Sequence, residues 1–131
     1  MVDASLFFKE NAVDAETINF APTTRFKDAE GKPLEWTLKK ISTERNEEII
    51  EDCTKGAKID NQKYIRKLVA ACVVEPNLDD AGLQDNYNVK KAEDVAPKIL
   101  KYAGEWLGLV KKINDFNEFK NLDAEIEEME N

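Results

Sequence analysis

The chain has 131 residues, of which 42% are hydrophobic and 35% charged, and a formal net charge of −8. This length suits one domain, and the composition predicts a globular protein with a heavily charged surface. An acidic chain repels phosphate backbones, so nucleic-acid binding is not expected. The chain has no histidine, which removes the commonest general base and the commonest transition-metal ligand.

Membrane insertion and secretion are not expected either. No apolar run approaches the ~20 residues that a membrane span needs. The first ten residues, M-V-D-A-S-L-F-F-K-E, lack the basic segment and long apolar run of a signal peptide. Cys53 and Cys72 fall at apolar positions of predicted helices, which favours small buried hydrophobes in a reducing compartment over a disulfide.

The chain begins with a short apolar segment. Residues 5–10 predict a helical turn in which Leu6, Phe7 and Phe8 are too apolar to remain in water. We therefore expect these three side chains to be covered.

A β-hairpin is predicted from roughly residue 17 to 41. Apolar and polar residues alternate over 17–26 and over 34–39, as on half-buried strands. Pro22 places the first strand at an edge or breaks it, and Gly31 supplies a positive φ in the connecting turn. Because a lone hairpin is marginal in water, it must lie on helices or gain a strand.

Four or five helices are predicted after the hairpin. Ser42 caps the first, and Asp60 or Asn61 caps the second, because a short side-chain oxygen can accept a free backbone N–H there. The second helix is predicted to continue to its stop near Pro76. Its apolar face, at spacings of three and four, consists of Tyr64, Ile65, Leu68, Val69, Cys72 and Val73.

Two further helices are predicted beyond residue 90. The first spans Ala92 to Tyr102, with Pro97 tolerable only near its first turn. Gly104 marks a corner, and the next helix runs from Trp106 to near Asn114.

Residues 115–131 form an acidic C-terminal segment with seven acidic side chains and one lysine, a net charge of −6. An apolar stripe at spacings of three and four predicts an amphipathic helix or tail there. The stripe either packs on its own domain or docks on a partner. Trp106 is a further candidate anchor, since tryptophan is enriched at interfaces. The stripe consists of Phe116, Phe119, Leu122, Ile126 and Met129.

These elements predict an α+β fold, mostly α, with an N-terminal β-hairpin packed on a small C-terminal helical bundle. We expect a single domain over residues 1–131. Its parts are the hairpin segment at 1–41, the helical core at 42–114 and the acidic segment at 115–131.

No constellation for catalysis, metal binding or cofactor binding is predicted. The loop after Pro76 resembles a calcium loop at Asn77, Asp79 and Gly82, but its twelfth position is Asn88 where a bidentate glutamate is needed. Asp79 and Asp80 fit better in the first turn of a short helix, where the helix dipole favours negative charge. Carboxylates without converging partners do not build an active site.

Two stretches resemble the XkdN-like phage tail assembly chaperones. They are R-F-K-D-A-E-G-K-P-L-E-W at 25–36 and L-V-A-A-C-V-V-E-P-N-L-D-D-A-G-L-Q-D-N-Y at 68–87. The resemblance extends over most of the chain, with a departure at Asn88, where a glycine is expected. Its structural motif residues are Pro76, Asn77, Leu78, Asp79, Leu83, Gln84, Asp85 and Tyr87.

The resemblance implies a non-enzymatic protein of the bacterial host cytoplasm that acts in phage or prophage tail assembly. Its expected partner is the tape measure protein, a long helical polypeptide that it keeps soluble until tail tube subunits polymerise. Self-association or contact with the tail tube protein is also open. The alternatives are a structural subunit of the tail and an acidic DNA mimic that inhibits a nuclease.

Overall fold

The computed structural model describes residues 2–119. Its strands are β1 (Ile18–Phe20), β2 (Trp36–Leu38), β3 (Thr54–Lys55), β4 (Lys58–Ile59) and β5 (Val73–Glu75). Its helices are α1 (Thr43–Asp52), α2 (Asn61–Cys72), α3 (Ala81–Asn86), α4 (Ala96–Ile99) and α5 (Ala103–Asn117). The fold is α+β and mostly α, as predicted.

The predicted hairpin forms the main sheet and gains a third strand. β1 and β2 are antiparallel, with Ile18 opposite Leu38, and β5 pairs with the other edge of β2. Irregular chain follows β1 near Pro22, as expected, and Gly31 takes a φ of +81° in the turn. A lone hairpin is only marginally stable in water, and the added strand β5 supplies the further pairing that it needs.

The central helix α2 begins as predicted and ends earlier. The Asp60 carboxylate accepts a hydrogen bond from the Lys63 N–H at 3.1 Å and caps the helix. The prediction that Val73 continues the helix to Pro76 is wrong, because Val73 opens β5 opposite Leu38. Its side chain still reaches the core from the sheet.

Three shorter stretches also differ from prediction. The link before Asp60 folds into the small hairpin β3–β4. The helix predicted from Ala92 to Tyr102 is a 3₁₀ turn followed by α4, which holds Pro97 in its first turn. Gly104 is no corner. It lies in the first turn of α5, which begins after Tyr102. The Glu105 carboxylate accepts the Tyr102 N–H at 3.4 Å there.

One hydrophobic core joins the sheet to the helices. It receives Trp36 and Leu38 from β2 and the apolar face of α2. Leu109, Val110 and Ile113 enter it from α5. The sheet and the helical bundle therefore share a single buried layer of side chains.

Candidate docking surface

Residues 2–17, here called the arm, precede the sheet and make short-range contacts. Two 3₁₀ turns, Ala4–Phe7 and Lys9–Asn11, shape it. The Asp3 carboxylate accepts the Ser5 N–H at 2.9 Å, and the Asn11 side-chain amide donates to the Ser5 carbonyl at 2.8 Å. These bonds give the arm a local conformation without burying any of its residues in the 3₁₀ turns.

The arm exposes five large apolar side chains. Their exposed fractions are 62% for Val2, 65% for Leu6, 79% for Phe7, 54% for Phe8 and 94% for Val13. The expectation that Leu6, Phe7 and Phe8 are covered is therefore wrong for the chain on its own. Apolar side chains grouped outside a core are typical of an interaction site.

The end of α5 lies close to the point where the arm joins the sheet. Ile18, the first residue of β1, pairs with Leu38 at the end of β2. Three residues further, the Ile41 N–H donates to the Asn117 side-chain oxygen at 3.0 Å. Three residues of extended chain span roughly 10 Å, so the arm and the end of α5 meet the body at the same end of β2.

A helix stop follows Asn117 and interrupts the predicted stripe. Glu118 adopts the left-handed conformation with φ +61°, and the Phe119 N–H donates to the Asn114 carbonyl at 3.1 Å. This is a Schellman-type helix end, so one continuous helix through Phe116 and Phe119 is not formed. Both rings are half-buried. The remaining predicted stripe residues, Leu122, Ile126 and Met129, lie outside the described residues.

The aromatic residues near this end contact the body. The Lys40 ammonium lies 5.3 Å from the ring centroid of Phe116, and the ring of Phe119 packs against the hydrophobic core. The third predicted anchor, Trp106, lies ten residues before Phe116 in α5, about 15 Å along the helix axis. Phe116 and Phe119 therefore both lie at the C-terminal end of α5, and Trp106 lies elsewhere.

Trp106 is half-buried against the core at the other end of α5. It lines a depression of about 190 Å³ together with Gln62, Ile65 and Arg66. This shallow surface is separate from the end where the arm joins.

An ion pair fastens the segment after β1 to the start of α5. Arg25 Nη2 lies 2.7 Å from Glu105 Oε1, and Arg25 Nε lies 2.9 Å from Oε2. The Thr23 hydroxyl donates to the same carboxylate. The hydrogen bonds from the Arg25 guanidinium lower the pKa of Glu105 most, and the hydrogen bond from the Thr23 hydroxyl lowers it further. Together they hold this pKa at about 2, well below its ordinary value. The contact anchors the hairpin on the bundle and thereby fixes where the arm leaves it.

The P-N-L…L-Q-D-N-Y element forms a turn and the helix α3 on the core. Leu78 is buried, and Leu83 and Tyr87 pack against the core. The Gln84 side chain donates to the Leu78 carbonyl at 2.9 Å, and Asp80 caps α3 by accepting the Leu83 N–H. The other motif positions shape the turn. The Asn77 side-chain oxygen accepts a hydrogen bond from the Asp79 N–H, and the Asp85 carbonyl accepts one from the Asn88 N–H. Pro76 follows the last residue of β5.

Cys53 and Cys72 are both buried, and both are free thiols that form no disulfide. Burial raises the pKa of the Cys72 thiol to about 11. Within residues 2–119, no group of three or more metal-ligating acidic or cysteine side chains is assembled. None of the helices in this part of the chain is both long and apolar enough to cross a membrane.

The arm was missed as an exposed surface because its pattern fits neither strand nor helix periodicity. Apolar residues alternate irregularly with Asp3, Glu10, Asp14 and Glu16. This mixture of acidic and apolar residues was the available signal.

Known proteins resemble this chain over nearly its whole length. YqbN of Bacillus subtilis strain 168 is 27% identical over 98% of this chain and 90% of its own length. The phage-like element PBSX protein XkdN of the same strain is 26% identical, over 96% of this chain and 91% of its own. A crystal structure of YqbN superposes with a TM-score of 0.83 at 26% identity, covering 92% of this chain and 99% of that one. The model of the phage XkdN-like tail assembly chaperone proteins matches residues 4–131, and the chain belongs to this family.

Proposed function

We propose that this chain is a non-catalytic chaperone that binds the tape measure protein and keeps it soluble until tail tube subunits polymerise around it. Membership of a tail assembly chaperone family supports a role in building the tail. The observation that carries the proposal is the arm, whose large apolar side chains lie in water when the chain is alone.

The arm suits a client of this kind. A long helical polypeptide exposes apolar stripes before assembly, and covering them removes the surface through which copies aggregate. Burial of apolar area from both partners supplies the driving force for binding. The net negative charge of the chain as a whole keeps the complex in solution.

The docking surface that we propose combines the arm with the neighbouring end of α5. Phe116 and Phe119 are sequence neighbours of Asn117, which bonds to Ile41 near the point where the arm joins. Each ring is half-buried, so each retains some surface for a client. Leu122, Ile126 and Met129 are further client contacts in this proposal. Trp106 belongs to a second, lesser contact. Ile126→Asp is the cleaner test of the C-terminal part, because Phe119→Asp also disturbs the core.

We further propose that the chain works as a single domain in the cytoplasm of the bacterial host. Self-association and contact with the tail tube protein are secondary contacts in this scheme. They are consistent with several chaperone copies per client, which the great length of a tape measure protein would accommodate.

Co-expression with the tape measure protein of the same phage or prophage tests the function. The soluble fraction of the tape measure protein should rise strongly with the chaperone, and the two should co-purify. A variant with Leu6, Phe7 and Phe8 changed to serine should lose both effects, whereas Leu34→Ser, at an exposed leucine of the hairpin, should retain them.

Purified virions separate this function from that of a structural subunit. A chaperone should be absent from the finished particle, whereas a tail subunit should be present at a fixed ratio to the tube protein. A tape measure protein that stays insoluble with and without the chain would refute the chaperone role.

A further inference from the structure

The net charge of the chain is concentrated at its two ends. The arm has four acidic side chains (Asp3, Glu10, Asp14 and Glu16) and one lysine, Lys9, so it carries −3. Residues 115–131 carry −6. Since the whole chain carries −8, residues 18–114 carry +1. The folded body is therefore almost neutral, and the charge lies in the segments that we propose as the docking surface.

These two acidic segments join the body side by side. Ile18 begins β1 opposite Leu38, and Ile41 bonds to Asn117 at the end of α5. Glu16 of the arm and Asp115 and Glu118 at the end of α5 lie within two residues of these attachment points. Like charges that are this close repel each other, most strongly at low ionic strength. A partner that brings positive charge relieves this repulsion when it binds, which adds to the gain from apolar burial.

Lysines of the body near this end already have contacts of their own. The Lys111 ammonium lies 3.6 Å from the Asp115 carboxylate. Lys40 and Lys112 lie over the rings of Phe116 and Phe20, at 5.3 and 5.6 Å from the ring centroids. Together they supply far less positive charge than the two acidic ends present.

We infer that the arm and the end of α5 select a client helix whose apolar stripe is flanked by lysine or arginine. This inference rests on the proposed function and adds the chemistry of the client segment. The apolar side chains of the arm cover the stripe, and the acidic side chains between them pair with the flanking cations. A second copy of this chain is a poor occupant, because its own ends carry the same negative charge.

Synthetic peptides test the selectivity directly. Two helical peptides of about 20 residues share one leucine stripe, and one has lysine and the other glutamate at all flanking positions. A third keeps the lysines but has serine in place of leucine. Binding to the full chain is measured by fluorescence anisotropy. The lysine–leucine peptide should bind at least about tenfold more tightly than either of the others, and added salt should weaken it markedly.

Charge variants of the chaperone locate the effect. Asp3→Asn, Glu10→Gln, Asp14→Asn and Glu16→Gln together should weaken the lysine–leucine peptide several-fold and reduce its salt dependence. A matched variant, with Glu30, Glu35, Glu47 and Glu51 of the body changed to glutamine, removes the same charge and should bind as the parent does. Circular dichroism and melting temperature confirm that both variants are folded.

Three results would overturn the inference: equal binding of the lysine and glutamate peptides, equal binding of the serine peptide, or an equal effect of the two charge variants. The same experiments test the proposed function separately from this inference. If the arm-neutralised variant still keeps the tape measure protein soluble while the peptides show no charge preference, the inference fails and the chaperone role remains. If the lysine–leucine peptide binds selectively but the tape measure protein stays insoluble, the chaperone role fails.

Discussion

Arg25 and Glu105 are 80 residues apart in sequence, yet they form a two-pronged ion pair with N–O distances of 2.7 and 2.9 Å. The same guanidinium donates to the Ile99 carbonyl and lies 5.3 Å from the ring centroid of Tyr102. One side chain of the hairpin segment thus contacts three positions around the start of α5. The pairing geometry is of the kind that gives arginine–carboxylate contacts their directional strength.

The ion pair predicts a definite dependence of stability on pH. Because the folded state lowers the pKa of Glu105 from 4.5 to about 2, its carboxylate stabilises the fold above about pH 4.5. This contribution is lost as the pH falls towards 2. Glu105→Gln should therefore lower the melting temperature at pH 7, and the difference from the parent chain should shrink between pH 4.5 and 2.

Thermal melts of both chains across this pH range measure the effect. Glu47→Gln, at an exposed position of α1, serves as the matched loss of a negative charge and should not reproduce it. A gap that is constant from pH 7 to 2 would show that Glu105 stabilises the fold by packing rather than through its charge.

Leu68→Ala should destabilise the fold strongly. Leu68 has no exposed surface and lies in the core between α2 and its neighbours. Emptying such a site costs roughly 2–5 kcal/mol of the free energy of unfolding, because the cavity is only partly refilled. Urea titration measures it, with the exposed Ile50→Ala as the control. A loss below about 0.5 kcal/mol would contradict the position of Leu68 in the core.

Asn88 occupies the position where the family resemblance predicts glycine. The backbone conformation at this position explains why a glycine is expected there. Its φ is +58°, in the left-handed region that asparagine tolerates better than most residues. Asn88→Val should cost roughly 1–2 kcal/mol, because a β-branched side chain crowds the backbone there. Asn88→Gly should stay within about 0.5 kcal/mol of the parent. Equal unfolding free energies for the two variants in urea would argue against this backbone conformation.

Local patterns in the sequence predicted local structure well. The alternation at 34–39 predicted β2, and Ser42 was correctly assigned as a helix cap. Of the two candidates for the next cap, Asp60 and Asn61, the structure selects Asp60. In each case one residue with its nearest neighbours decides the conformation. Leu78 and Tyr87 contact the core, since large apolar side chains in a polar loop are driven out of water.

Long-range pairing could not be predicted in the same way. Val73 continues the apolar spacing of α2 and becomes a strand only because β2 offers it a partner from another part of the chain. The contact between Arg25 and Glu105 has no local signature at all. Leu6, Phe7 and Phe8 were expected to be covered, but apolarity alone does not say whether the folded body has room for them.

Deletion of residues 2–13 should separate stability from binding. The 3₁₀ turns of this segment contribute no buried residue, so its loss removes little of the apolar burial that stabilises the fold. We expect a melting temperature within about 2 °C of the parent, a shift that corresponds to well under 1 kcal/mol for a chain of this size. Capture of the tape measure protein should fall sharply.

Phe7→Ser with Phe8→Ser should reproduce the loss of capture without shortening the chain, and Leu34→Ser again provides the matched control. A large drop in melting temperature with intact capture would mean that the arm belongs to the fold and that the client binds elsewhere.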